Sequence, residues 1–163
     1  MVRSDEERQK KEYEILVLDL FIRKSPQSIR AWWTDFPDDY DAKDPSEQPY
    51  RIVTRKHNAN GGRELLTSWR NQDGSEWQAE ETMHLFEDGL SWAFDVKNPR
   101  GFLIRDDFHA VPVEGGTRLE IRSKITPNKP EAEAMIPQQK ERMAQLWKKM
   151  IAVCERDAPP PLP

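Results

Sequence analysis

The chain of 163 residues contains one cysteine, Cys154. A lone thiol cannot close an internal disulfide, so a reducing compartment is expected. No apolar run approaches the ~20 residues that a membrane helix needs. The opening stretch, MVRSDEERQKKEYE, has no apolar segment of the secretory-signal kind, and the cytoplasm is the expected location. Neither sign of charge dominates: 25 Lys and Arg stand against 29 Asp and Glu, a net charge of −4. The basic residues are spread along the chain, which argues against a nucleic-acid-binding stripe.

Several catalytic and metal-binding patterns are missing as well. His57, His84 and His109 fall on separate strand-like runs, with no His-x-x-x-His or Cys-x-x-Cys spacing, so neither zinc nor any other metal is expected. Asp35, Asp38, Asp39, Asp41 and Asp44 crowd one loop, but the glycine and terminal glutamate of a calcium loop are not at the required spacing. There is no Gly-x-Gly-x-x-Gly, no P-loop and no Gly-x-Ser-x-Gly elbow. No cofactor is expected. Cys154 falls on the apolar stripe of a helix and reads as an inert, packed thiol.

What is present points to a folded domain. Hydrophobic residues make up 36% and charged residues 33% of the chain, with six Trp and six Phe. Disordered chains lack such aromatics. The length suits a single domain with its own core. Residues 1–12 read as a flexible charged tail, 13–156 as the domain, and 157–163 (DAPPPLP) as a proline-rich disordered tail. That last segment reads as polyproline II chain or, alternatively, as a docking peptide for an SH3- or WW-type domain.

From Tyr50 to Thr126, strand-like runs alternate with turn signals at 58–62 (NANGG), Asp73-Gly74, Asp88-Gly89, 98–101 (NPRG) and Gly115-Gly116. Tight hairpins require such residues because their central positions need positive φ. Six runs between these turns pair as an antiparallel meander. A seventh strand is expected over Glu14–Arg23. Ser25 and Pro26 then start a short helix carrying Ile29, Trp32, Trp33 and Phe36, which Pro37 ends or kinks. A second short helix or loop is expected over 38–48. A helical turn at 130–135 precedes a long helix that starts near Pro137. In it Met143, Leu146, Trp147, Met150, Ile151 and Cys154 recur at helical spacing, with charged residues on the other face. The class is α+β: a seven-stranded curved antiparallel sheet that buries the stripe of a long C-terminal helix.

Alternation assigns the inner face of each strand. Leu119, Ile121, Ser123 and Ile125 face inward together; so do Leu90, Trp92, Phe94 and Val96, and Trp77, Ala79, Met83 and Leu85, and Phe102, Ile104, Phe108 and Ala110. Two carboxylates share this phase: Glu81, between Ala79 and Met83, and Asp106, between Ile104 and Phe108. Glu80 and Asp107 point outward. A carboxyl in an apolar cavity has a raised pKa and can anchor a ligand's polar group or act as an acid or base. The alternatives are a β-bulge that turns both toward solvent, or pairing of each with a nearby Arg. Most of Trp69, Trp77, Trp92, Phe94, Phe108 and Trp147 read as core, with a subset lining a cavity.

The stretch IRKSPQSIRAWWTDFPDDY (22–40), through Ile22, Ser25, Pro26, Ile29, Trp32, Trp33, Asp35 and Tyr40, resembles the opening of the START/Bet v 1-like (SRPBCC) superfamily. GGTRLEI (115–121) is similar to that family's entry into its last strand, and the terminal helix with Trp147 fits as well. The resemblance covers about 14–156. It implies a helix-grip fold with an apolar cavity between sheet and long helix, of the polyketide cyclase/dehydratase and lipid-transport type. The cavity residues expected from phase and resemblance are Trp77, Glu81, Met83, Trp92, Phe94 and Asp106, with Phe108, Ile121, Met143, Trp147 and Met150. The function expected is binding or carriage of a lipid, polyketide or aromatic metabolite by a monomer, without nucleic acid and without membrane insertion. One alternative is a cyclase or dehydratase using Glu81 or Asp106; the family fixes no catalytic set to carry over. Another is a protein-interaction module like the family's chaperone activators.

Overall fold

A computed structural model describes residues 12–43, 49–71, 73–99 and 101–158. The tail segments 1–11 and 159–163, and Asp44 of the acidic loop, lie outside the described residues.

The chain opens with strand β1 (Tyr13–Ile22) and helix α1 (Pro26–Thr34). Seven further strands follow: β2 (Asp39–Lys43), β3 (Pro49–His57), β4 (Arg63–Arg70), β5 (Glu76–Leu85), β6 (Ser91–Asn98), β7 (Phe102–Val113) and β8 (Gly116–Pro127). Helices α2 (Pro130–Glu133) and α3 (Ile136–Asp157) end the described chain. All eight strands form one antiparallel sheet in the order β1-β8-β7-β6-β5-β4-β3-β2. The six-strand meander is β3 to β8, and β1 closes back onto β8, the last strand of that meander.

One expected element is different. The segment after Pro37 forms strand β2 rather than a second short helix or loop, so the strands number eight and not seven among the described residues. DDYDAK carries no apolar alternation of its own, and pairing with β3 imposes the extended form. Arg51 clamps Asp39 with two hydrogen bonds, at 2.8 and 2.6 Å, and the amide of Thr54 reaches the Asp38 carbonyl at 2.6 Å. Asp38 also meets His57 at 2.8 Å. These acidic residues are thus tied into a sheet edge.

Local chemistry explains the turns and caps. Ser25 caps α1, its hydroxyl accepting from the Ser28 amide at 3.1 Å, with Pro26 in the first helical turn. Gly101 sits at φ 101°, where a side chain would be strained. Gly116 opens β8 against the end of β1, where an added Cβ would fall 2.2 Å from the Ile22 carbonyl oxygen.

The core lies between α3, α1 and the inner faces of β1, β6, β7 and β8. Trp92, Phe102, Phe108, Leu119, Ile121 and Ile125 are fully buried in it. From α3 come Met143, Trp147, Ile151 and Cys154, together with Gln139. Each large apolar side chain contributes about 1.5–3 kcal/mol of burial. Leu146 departs from the expected stripe and is exposed. It lies about 100° around the helix from Trp147, and α3 packs on β1 and α1 through one row of side chains. Trp33 of α1 completes this cluster, its ring 5.0 Å from Phe108 and 6.1 Å from both Trp92 and Trp147.

Candidate functional site

Register decides the site. Pairing shifts occur in β1 near Glu14 and in β3 near Thr54, and none occurs along β5 or β7. Glu81 and Asp106 therefore keep their inward phase. Phe94 pairs with Met83 on one side and Asp106 on the other, and Val96 pairs with Glu81 and Ile104. The two carboxyls thus sit diagonally across β6 on one concave face.

Among the described residues, neither carboxyl pairs with an arginine. Thr67, on the inner face of β4, donates its hydroxyl to Glu81 Oε2. Ser123, on β8 directly opposite Asp106, donates to Asp106 Oδ1 at 2.7 Å. The Trp147 indole N–H reaches Ser123 Oγ at 3.3 Å and ties the pair to α3. Burial pushes the Glu81 carboxyl above its ordinary range, and the Thr67 bond opposes this only in part. Burial likewise raises Asp106, to about 7, with the Ser123 bond opposing and the charge of Glu81 adding to the rise. Near neutral pH the Asp106 carboxyl can therefore donate a hydrogen bond as well as accept one.

The outward neighbours behave as ordinary surface charges. Arg105 bridges Asp95 at 2.9 Å and Asp107 at 3.1 Å, and His84 meets Asp95 at 2.7 Å. His109 accepts or donates at 2.8 Å with Ser91. Both histidines lie on the outer face, as their phase indicates. Among the described residues, no group of three His, Cys, Asp or Glu side chains is gathered to hold a metal ion. No described helix is long and apolar enough to cross a membrane.

The eleven residues expected to line a cavity separate into two sets. Met83, Trp92, Phe108, Ile121, Met143 and Trp147 are buried, and so is Asp106 beside them. Trp92 and Phe108 stack face to face with centroids 5.2 Å apart, and Trp147 meets the Phe108 ring edge-on at 5.4 Å. Trp77, Glu81, Phe94 and Met150 are half-buried. The concave wall of β3, β4 and β5 carries further half-buried side chains, among them Ile52, Tyr50 and Trp69. Two buried polar atoms on inward-facing residues, Trp92 Nε1 and Thr54 Oγ1, have no hydrogen-bond partner among the described residues.

Alternation marks a face without naming partners, so it does not single out Thr67, Thr54 or Tyr50 as site residues. Ser123 carried a usable signal: it is the one polar residue among Leu119, Ile121 and Ile125 on an inward face.

No family model matches the chain, and no characterised protein matches it by sequence. Solved structures do resemble it. Ara h 8.0201 superposes with a TM-score of 0.64 at 8% identity, over 90% of this chain and 100% of the other. The di-domain ARO/CYC StfQ from the steffimycin biosynthetic pathway gives 0.58 at 14% identity, over 92% of this chain and 50% of the other. Protein TTHA0849 from Thermus thermophilus gives 0.61 at 10% identity, over 90% and 95%. The superpositions with Ara h 8.0201 and StfQ give this chain the helix-grip fold, an antiparallel sheet around a long C-terminal helix.

Proposed function

We propose that the protein binds a hydrophobic small molecule, a lipid, polyketide or aromatic metabolite, against the concave face between β3–β6 and α3. The observation that carries this reading is the pair of inward carboxyls, Glu81 and Asp106, set among apolar side chains and answered, among the described residues, by single hydroxyls. Burying a carboxyl in apolar surroundings costs stability unless its groups are used. A ligand carbonyl or hydroxyl lying over Phe94 and Val96 would use them. The Trp92 indole N–H, unpartnered among the described residues, supports the same reading, since a buried donor left alone costs about 1–3 kcal/mol. The ARO/CYC neighbour supports it at the level of the fold.

Native mass spectrometry of freshly purified protein, followed by solvent extraction, tests the reading. The expected result is a bound species of small-molecule mass, or, after stripping, a saturable complex with an apolar probe that raises the melting temperature. Protein at its bare mass that no apolar ligand stabilises would refute it.

A second reading has one specific observation in its favour. Glu81 and Asp106 lie one strand either side of β6 on the same face, and burial raises both carboxyls, with the charge of Glu81 adding to the rise at Asp106. In a cyclase- or dehydratase-type enzyme, Asp106→Asn would abolish turnover while leaving ligand affinity nearly unchanged. Loss of ligand affinity in Asp106→Asn, with no turnover by the native protein, would favour simple carriage.

A further inference from the structure

Three aromatic rings form a ladder on the concave wall. Tyr50 of β3, Trp69 of β4 and Trp77 of β5 are successive cross-strand partners. Tyr50 stacks on Trp69 with centroids 4.6 Å apart and planes 27° apart. Trp69 stacks on Trp77 at 5.4 Å and 8°. Each ring is half-buried, and none belongs to the core cluster that α3 covers. Cross-strand aromatic pairs are an ordinary stabilising device of sheets, worth about 0.2–1 kcal/mol each. That accounts for the two contacts inside the ladder but not for its far end.

Among the described residues the ladder ends at Trp77. Pairing of β5 with β6 runs from Glu80 and Lys97, β6 finishes at Asn98, and no described residue of β6 is paired with Trp77. Among the described residues, no ring lies on the side of Trp77 away from Trp69. The same inner face of β5 continues from Trp77 through Ala79, a small buried side chain, to the Glu81 carboxyl. Trp77 and Glu81 are four residues apart, or roughly 13 Å along the strand. An indole face, a small-residue step and a hydrogen-bonding carboxyl in line are what a flat molecule with a polar edge would read.

We propose that the indole face of Trp77 is a stacking subsite for a planar aromatic ring of the ligand, placed as the fourth member of the Tyr50–Trp69–Trp77 ladder, with its polar edge toward Glu81. This rests on the ligand-binding reading above and narrows it from hydrophobic molecules in general to fused-ring aromatics bearing carbonyl or hydroxyl groups. Stacking selects for flatness rather than length, so a fatty acyl chain would gain nothing from Trp77.

The test uses two probes on the full chain: alizarin, a planar hydroxyanthraquinone, and cis-parinaric acid, a fatty acid without a ring. Each is titrated into the native protein, Trp77→Leu and Trp77→Phe. The expected result is an alizarin affinity about tenfold lower in Trp77→Leu and largely kept in Trp77→Phe. Parinaric acid affinity would be alike in all three. Alizarin protons should also show upfield ring-current shifts and cross-relaxation to the Trp77 ring in the native protein, a readout that survives a variant's failure to fold. Alizarin affinity unchanged in Trp77→Leu, equal loss for both probes, or contact with a different ring would overturn the subsite while leaving hydrophobic binding in place. If neither probe binds the native protein, the subsite and the binding reading fall together.

Discussion

Ser123 donates its hydroxyl to Asp106 from directly across the β7–β8 pairing, at 2.7 Å, and among the described residues it is the one side-chain hydrogen bond that Asp106 receives. It does not offset the loss of water around the carboxyl. With its pKa raised to about 7, above the unfolded value near 4, Asp106 binds its proton more tightly in the folded chain. The stability this provides is full below pH ~4, falls as pH rises through the interval, and is lost above about 7. The raised pKa of Glu81 acts in the same direction.

Asp106→Asn should therefore be more stable than the native protein above pH 7, by up to roughly 4 kcal/mol, because the asparagine keeps the shape without the charge. Its stability should also vary less between pH 4 and 7. Urea denaturation at a series of pH values measures both. A native-like slope in the variant would show that another group carries the pH dependence.

Trp147 joins α3 to this bond and to the aromatic cluster. Trp147→Phe should keep most of the packing on Phe108 and Trp33 but lose the indole N–H to Ser123, costing about 1–2 kcal/mol. Trp147→Ala should cost about 3–5 kcal/mol through the cavity left beneath the helix. Equal losses in the two variants, read from thermal or denaturant unfolding, would remove the hydrogen bond from the account.

Cys154 is fully buried, and burial pushes its thiol up to about 12. A thiol reagent at pH 8 should modify it only at the rate at which the α3 region opens, and rapidly after denaturation. Fast labelling of the native protein would place α3 on a looser footing than its packing implies.

Most of the fold was legible because alternation and helical spacing leave direct marks on sequence. The inward phase of Glu81 and Asp106, the turns around Gly74, Gly89 and Gly115, the cap at Ser25 and the start of α3 beside Pro137 all follow local rules. Strand β2 was not legible, since Asp39 and Tyr40 become a strand only through pairing with Val53 and Ile52. Leu146 has the spacing of a core residue, and its exposure depends on where α3 lies across the sheet. At the site, periodicity selects the face but says nothing of lateral partners. The Thr67–Glu81 bond and the Tyr50–Trp69–Trp77 ladder come from strand register, and only assembly of the sheet sets that.

The claim at the centre of this account is that the concave face of β3–β6 receives a hydrophobic ligand. Amide chemical-shift mapping during titration with an apolar probe such as alizarin tests it most directly. Saturable shifts should gather at Thr67, Trp77, Glu81, Phe94 and Asp106 on the inner face, sparing the outer-face residues His84, Arg105 and His109. Shifts confined to the outer face, or none that saturate, would contradict it.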